Sequence, residues 1–478
     1  MNFTNNYKTK KMTKKLKNTS LLLLIAAIFG FTSCKKNTDP EPDSVKKTAT
    51  EYIVDGNKVT IIDHGAGTGN KTLTADKTWI LDGMVYVNKG QNLKIEEGTI
   101  IKGKPGQGEQ ASALIVTRGA KINAKGTANK PIIFTALADD LNGSVQKTDR
   151  GLWGGVIILG AAKINTVPKR KNIEGIPTTE NRGEYGGDDD HDNSGIFQYV
   201  SIRHGGSNIG ADNEINGLSM GAVGDGTIID HIEVFANNDD GFEFFGGTVN
   251  TSYMIAAYCK DDAFDWDQGF RGKGQFWLAV QDPNAGDRLG ELDGADDPED
   301  GIPLGGGNVY NATFVGRGAQ GSRTLTFRAN GGGSFKNCIF VNQKKGVDIE
   351  LIESLTASSS WKRFKDQELF VEHNIFFDIA DNTDSGVFKV KVKDGVTAAD
   401  AAQAESDWAA YIATAKNTTN VDPGIVYPST GSFNPVPTGN VNGNLASYPT
   451  GFYKMVSYKG AFDPSASNWA DGWTLLFE

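Results

Sequence analysis

The chain has 478 residues and a formal net charge of −10 even with a strongly cationic leader counted, which excludes nucleic acid and anionic lipid surfaces as natural partners. Its 59 Gly against 15 Pro, with many Asn, Asp and Thr, favour short strands joined by frequent turns, and its 3 Cys are too few for a disulfide framework. Length does not count domains here, because solenoids run long as single units.

Lys8, Lys10, Lys11, Lys14, Lys15 and Lys17 lead into an apolar run from Leu21 to Phe31 that stops at Thr32-Ser33-Cys34. A membrane-spanning helix needs about 20 apolar residues, so this shorter run reads as the core of a secretory signal covering residues 1–33. The ending Phe31-Thr32-Ser33-Cys34 resembles a bacterial lipobox. That resemblance implies that Cys34 becomes a cleaved, diacylated N-terminus holding the protein on a membrane, each buried acyl CH₂ contributing about 0.8 kcal/mol. Ordinary secretion with an incidental cysteine is the alternative. Residues 34–50 are Lys, Pro, Asp, Glu and Thr with almost nothing to bury, and are expected to form a disordered tether.

From about Thr72 the chain repeats. Gly98-Thr99 returns as Gly126-Thr127, Ile115 to Asn123 is echoed by Ile157 to Asn165, and Val309 to Val315 is echoed by Phe335 to Val341. Imperfect repeats of 20 to 30 residues with Gly and Asn at the corners fit the coils of a right-handed parallel β-helix, about ten of them, over residues 51–396. A propeller blade needs about 40 residues, and the Leu/Asn consensus of a leucine-rich repeat is missing.

The tightest repeat carries the chemistry. Asn237 to Phe244 returns as Cys259 to Trp266, with Asp239, Asp240 and Glu243 recurring 22 residues later as Asp261, Asp262 and Asp265. One coil of offset sets such segments about 4.8 Å apart, and alternate residues face opposite ways. Phe242 is expected to stack on Phe264 and Phe244 on Trp266 in the core, while Asp239 meets Asp261 and Glu243 meets Asp265 on an outer face, Asp267 following. Carboxylates about 5 Å apart repel by roughly 1 kcal/mol in water and more at lower dielectric. The column therefore calls for a cation, raised pKa values or wide exposure. Asp239, Asp240, Glu243, Asp261, Asp262, Asp265 and Asp267 are candidate Ca²⁺ ligands, since Ca²⁺ takes six to eight oxygens with tolerant geometry. Ordinary solvated turns, with Lys260, Arg271 and Lys273 as counter-charges, and an active or glycan-binding groove are the competing readings. No segment has EF-hand spacing.

Tyr199 to Gly206, Ala236 to Gly247 and Asp261 to Gly272, together with Tyr458-Lys459-Gly460-Ala461-Phe462, Trp469 and Gly472-Trp473-Thr474, resemble the β-helix lipoproteins of Bacteroidetes. The resemblance covers nearly all of the mature chain. It implies a pectin-lyase-like fold and an envelope location, as an outer-membrane lipoprotein, and it carries no activity. Enzymes of that fold pair aspartates across coils; Asp261 and Asp265, with Arg271 as a base, are the candidate catalytic residues here for a polysaccharide lyase or glycoside hydrolase. The Gly-His-Gly and Arg-Ile-Lys segments of the hydrolases are missing, and His204 and His231 read as structural.

Asp188 to Asn193 reads as an exposed loop or second cation site, and Asp287 to Asp300 as an acidic insertion walling the same groove. Trp153, Trp266 and Trp277 are possible sugar platforms, though buried core aromatics are commoner. Ala401, Ala404, Trp408, Tyr411, Ile412 and Ala415 recur at helical spacing behind a Thr397/Asp400 cap, so residues 397–478 are expected to give one helix and an irregular cap over the solenoid end. The likeliest task is binding of a glycan or an outer-membrane partner protein; the alternative is carbohydrate cleavage.

Overall fold

The computed structural model describes residues 49–210, 213–295 and 298–478. Cys34, the signal and all but the last two residues of the expected tether lie outside the described residues. Thr50, placed in the tether by composition, already donates its hydroxyl to the Gly67 carbonyl at 2.6 Å, so the folded part begins slightly earlier than expected.

Glu51–Asp55 and Lys58–Ile62 form an antiparallel hairpin turned at Gly56, where φ is 60°. Every later pairing in the large sheet is parallel, and the chain winds as a right-handed β-helix with three ladders. One ladder starts at Lys58–Ile62 and runs through Thr78–Leu81, Ile100–Gly103 and Ile132–Ala136 to the second halves of Gly195–Arg203, Ile228–Phe235, Thr251–Ala257 and Lys273–Val280. The first halves of those long strands belong to a second ladder with Asn92–Ile95 and Lys121–Lys125. The third contains Val156–Leu159, Leu218–Gly221, Phe242–Phe245, Phe264–Asp267 and Gly290–Asp293, and ends at Phe388–Val392.

The long strands bend at a single residue. Register jumps from Gln198↔Asp230 to Val200↔Ile232, skipping Tyr199 and His231, and both sit at positive φ (49° and 54°). Tyr253 and Phe276 occupy the same corner one and two coils on, with φ of 56° and 59°. Left-handed backbone is costly for bulky residues, and here the rings repay it by stacking: Tyr199 on His231 at 4.1 Å, His231 on Tyr253 at 4.2 Å, and Tyr253 on Phe276 at 4.9 Å. His231 thus has a structural place, at a corner that interrupts the strand-like run Ile229-Asp230-His231-Ile232.

The repeat at 26 residues is a true register, Val309 pairing Phe335. The echo of Ile115 to Asn123 is half true. Ile157 pairs Ile115, but Lys121–Lys125 pairs with the strand beginning at Gly195, because residues 160–194 leave the coil before rejoining it. The helix Ala398–Ile412 is capped by Thr397, which accepts from the Asp400 N–H, and buries Ala404, Trp408 and Ile412 against the last coil. Two shorter helices, Ser360–Lys365 and Asp384–Val387, were not expected. The residues after the long helix do more than cap the end. They run back along the corner face, where Ala446 bonds Asn337, Lys454 bonds Gln275 and Leu475 bonds Glu233. Cys259 and Cys338 are buried free thiols. Among the described residues no helix is long and apolar enough to cross a membrane.

Candidate functional site

The parity expected of the 22-residue repeat holds. Phe242 pairs Phe264, Glu243 pairs Asp265 and Phe244 pairs Trp266. All four aromatic side chains are buried in the core, Phe242 stacking on Phe264 at 5.2 Å. Phe244 and Trp266 are in register, yet their rings stack on other partners: Phe244 lies 5.9 Å from Trp277 and Trp266 lies 5.7 Å from Phe335. Trp153, Trp266 and Trp277 are fully buried, which rules them out as sugar platforms.

A third rung joins the acidic side of the column. Asp265 pairs Glu291 on Gly290–Asp293, so the segment expected to be an acidic insertion contributes a strand of the coil itself. Its four additional residues relative to the 22-residue spacing hid this from the sequence. Asp287 does flank Asp261 and Asp262, as a groove wall would.

Beside the strands, the turn residues stack by a repeating bond. Asn216 Oδ1 accepts the Asp240 N–H at 3.2 Å, Asp240 Oδ1 accepts the Asp262 N–H at 2.9 Å, and Asp262 Oδ1 accepts the Arg288 N–H. Successive coils thereby deliver carboxylates at fixed spacing. Ligand oxygens lie within 4.8 Å of one another in Asp239/Asp240/Asp261, in Asp240/Glu243/Asp265, in Asp261/Asp262/Asp287 and in Asp262/Asp265/Glu291.

The reading of this outer face as ordinary solvated turns is corrected here. Asp240, Glu243, Asp262 and Glu291 are buried, Asp239 and Asp265 half-buried, and only Asp261 is exposed. The cover comes from the excursion between coils. Asn216 donates to both Glu174 and Glu243, which brings the two carboxyls beside each other. Burial, reinforced by neighbouring carboxylates, holds Asp240, Glu243 and Asp265 well above the usual carboxylate range. Burial and Glu291 push Asp262 up to about 8 against the pull of Arg288. Asp239 reaches about 7 through burial and Glu174, and Asp261 about 6 through burial and Asp262.

Cations close one end only. Arg288 Nη1 lies 3.1 Å from Asp262 and 2.8 Å from Glu291, and Arg328 binds Glu291 at 2.7 Å and Asp293 at 2.8 Å. At the other end, among the described residues, Asp239, Asp240, Glu243, Asp261 and Asp265 form no ion pair with Lys or Arg. Asp265 Oδ1 is sealed from solvent without a hydrogen-bond partner. This donor set fits a hard cation: ligands on opposite sides of Ca²⁺, bonded at 2.3–2.6 Å, stand about 5 Å apart.

Two expected participants are misplaced. Asp267 is in register with Phe245 and accepts the Gln268 N–H; it joins none of the carboxylate groups. Arg271 is turned to the far side, where its guanidinium binds Asp190 at 3.0 Å and the Gly269 carbonyl at 3.1 Å, so it cannot act as a base beside Asp261 and Asp265. Arg288 takes the place expected of it. Asp190, also held by Lys163 at 2.9 Å, has its carboxyl kept well below the usual range by those cations. With His191 on Asp225, the Asp188 to Asn193 segment is an ion-paired turn, and among the described residues its carboxylates join no group with metal-ligand spacing. The cavity adjoining the column is shallow, about 170 Å³, and is lined by Arg288, Arg323, Arg328, Lys391 and Lys393 with Asp348.

Residues 65–421 match the model of the pectate-lyase-like beta helix domain. Among solved structures, full-length tailspike protein 2 from Escherichia coli O157:H7 bacteriophage CAB120 is similar at 13% identity and a TM-score of 0.20, over 66% of this chain and 38% of that one. The chain thus aligns with less than half the length of that protein. No curated protein matches. The chain belongs to the pectate-lyase-like beta helix domain family.

Proposed function

We propose that this is a cell-envelope β-helix of the Bacteroidetes lipoprotein kind, anchored in the outer membrane through Cys34, that binds a glycan on a face organised by Ca²⁺. One observation carries the reading: Asp240, Glu243 and Asp265, from consecutive coils, bring oxygens within 4.8 Å of one another, with Asp265 Oδ1 buried and unpartnered. Three such carboxylates cannot all ionise without a cation, and Ca²⁺ accepts oxygen ligands of this kind. The family's β-helix is compatible with carbohydrate binding, and the Arg- and Lys-lined hollow beside the column supplies polar groups for it. An outer-membrane partner protein is the other occupant this face admits. Affinity electrophoresis of the purified protein in gels containing candidate polysaccharides, run with Ca²⁺ and with EDTA, tests the proposal. Retardation that needs Ca²⁺ is expected, and retardation indifferent to EDTA would separate glycan binding from the column.

Carbohydrate cleavage is the second reading. It is favoured by Asp239 and Asp261, which stand at the solvent edge of the buried column with oxygens within 4.8 Å, nearer the roughly 5–5.5 Å carboxyl separation of retaining glycosidases than the roughly 6.5–9.5 Å of inverting ones. Release of reducing or unsaturated sugar ends, lost in Asp261→Asn, would establish it over binding alone.

A further inference from the structure

Away from the carboxylate column, a lysine is buried without a counter-charge. Lys459 is 2% exposed. Its backbone N–H bonds the Val441 carbonyl at 2.9 Å, but its ammonium forms no ion pair or hydrogen bond with any of the described residues. The titratable group that acts on it is Cys338, whose thiol burial pushes up to about 12, so it supplies no negative charge. Burial lowers Lys459 to about 8, which leaves it mostly cationic at neutral pH.

Lys459 lines a cavity of about 160 Å³ between the last coils and the returning C-terminal segment. Thr418 lines the same cavity, and its Oγ1 is a buried hydroxyl with no partner. Thr418 is fixed there by its backbone, which donates to the Asn374 carbonyl at 3.0 Å and accepts from Phe376 N–H at 2.7 Å. Asn440 and Asn444 complete the polar side, and Ile375 and Val421 form an apolar wall. Two residues with unpartnered polar groups, an ammonium and a hydroxyl, therefore line one hollow.

Water can occupy such a space and accept hydrogen bonds, but it does not neutralise a buried charge, which is costly to leave unpaired. A dianion would exceed the single positive charge, and a fully hydrated ion would leave the apolar wall wet. The volume lies well below the 300–1,000 Å³ of drug-sized ligand sites. From this geometry we infer that the Lys459–Thr418 cavity binds a small aliphatic carboxylate, its oxygens on Lys459 and Thr418 and its short alkyl part against Ile375 and Val421.

Thermal melts of the full chain with acetate and with butyrate, at constant ionic strength and neutral pH, test this. Each carboxylate should raise the melting temperature saturably, butyrate at lower concentration. Lys459→Gln should weaken the apparent affinity by about tenfold or more, as expected for loss of a charge-assisted hydrogen bond. Sulfate and phosphate should not reproduce the effect. No shift with either carboxylate, an equal shift in Lys459→Gln, or an equal shift with phosphate overturns the inference. Should Lys459→Gln fail to fold, Thr418→Val and the wild-type protein carry the test. In ¹⁵N-lysine-labelled protein the Lys459 ammonium resonance must move on acetate titration, and a resonance that stays fixed refutes the site.

Discussion

Replacing Asp265 by Asn should stabilise the cation-free protein, the reverse of what removal of a buried, hydrogen-bonded side chain does. Asp265 has oxygens of Asp240, Glu243, Asp262 and Glu291 within 4.8 Å, and among the described residues no Lys or Arg pairs with it. At that separation, with an effective dielectric constant of about 20, each ionised neighbour costs about 3.5 kcal/mol. Burial and Asp240 raise the folded-state pKa of Asp265 well above its ordinary value. A carboxyl shifted upward binds more protons folded than unfolded. Its stabilising contribution is present below the unfolded pKa of about 4 and is lost as pH rises through the folded value. Asn removes that loss, because it is neutral at every pH and offers an amide to the surrounding carboxylates. In EDTA, urea denaturation midpoints should coincide near about pH 4 and diverge upward, the variant being more stable by about 2–3 kcal/mol near about pH 8, less than one full Coulomb pair because neighbouring groups stay partly protonated. An Asn variant less stable than wild type in EDTA at the higher pH would refute the picture of an uncompensated column.

The other predictions address the frame around it. Phe264→Ala should cost about 3–5 kcal/mol by urea denaturation, since it deletes a ring stacked between Phe242, Trp277 and Phe314 at 5.2, 4.4 and 5.4 Å. Cys259 and Cys338, buried with thiols pushed up to about 12, should react with a thiol reagent only after denaturant is added; rapid native labelling would place at least one of them outside the core. Cys34→Ala should release the protein from membranes washed with high salt and carbonate, and retention of the variant would exclude the lipid anchor.

Much of the column was legible because a β-helix converts sequence offset directly into spatial register. Alternation through Phe242-Glu243-Phe244 and Phe264-Asp265-Trp266 sorts core from exterior, and the 22-residue offset names the pairs that the structure forms. What covers that exterior was not legible. Glu174, Glu214 and Asn216 come from segments that leave the coil, where no periodicity constrains position, and they bury much of what strand parity places on an outer face. The third rung was missed because Glu291 follows Asp265 after a longer turn, which made its strand resemble an insertion. Arg271 was favoured by nearness in sequence, but Gln268-Gly269 sends the chain around the corner toward Asp190, and Arg288 arrives from the next coil instead. The Lys459 cavity had no sequence signal beyond the Tyr458 to Phe462 motif, because it depends on the C-terminal segment folding back over the coils.

Equilibrium dialysis of the purified, EDTA-stripped protein against ⁴⁵Ca²⁺ tests the central claim most directly. Saturable binding of at least one ion per chain is expected at millimolar Ca²⁺, lost when Asp240 and Asp265 are both changed to Asn in a variant that keeps its β-sheet circular dichroism. Folded wild-type protein that binds no Ca²⁺ under those conditions, or a double variant that binds as much, would contradict the account.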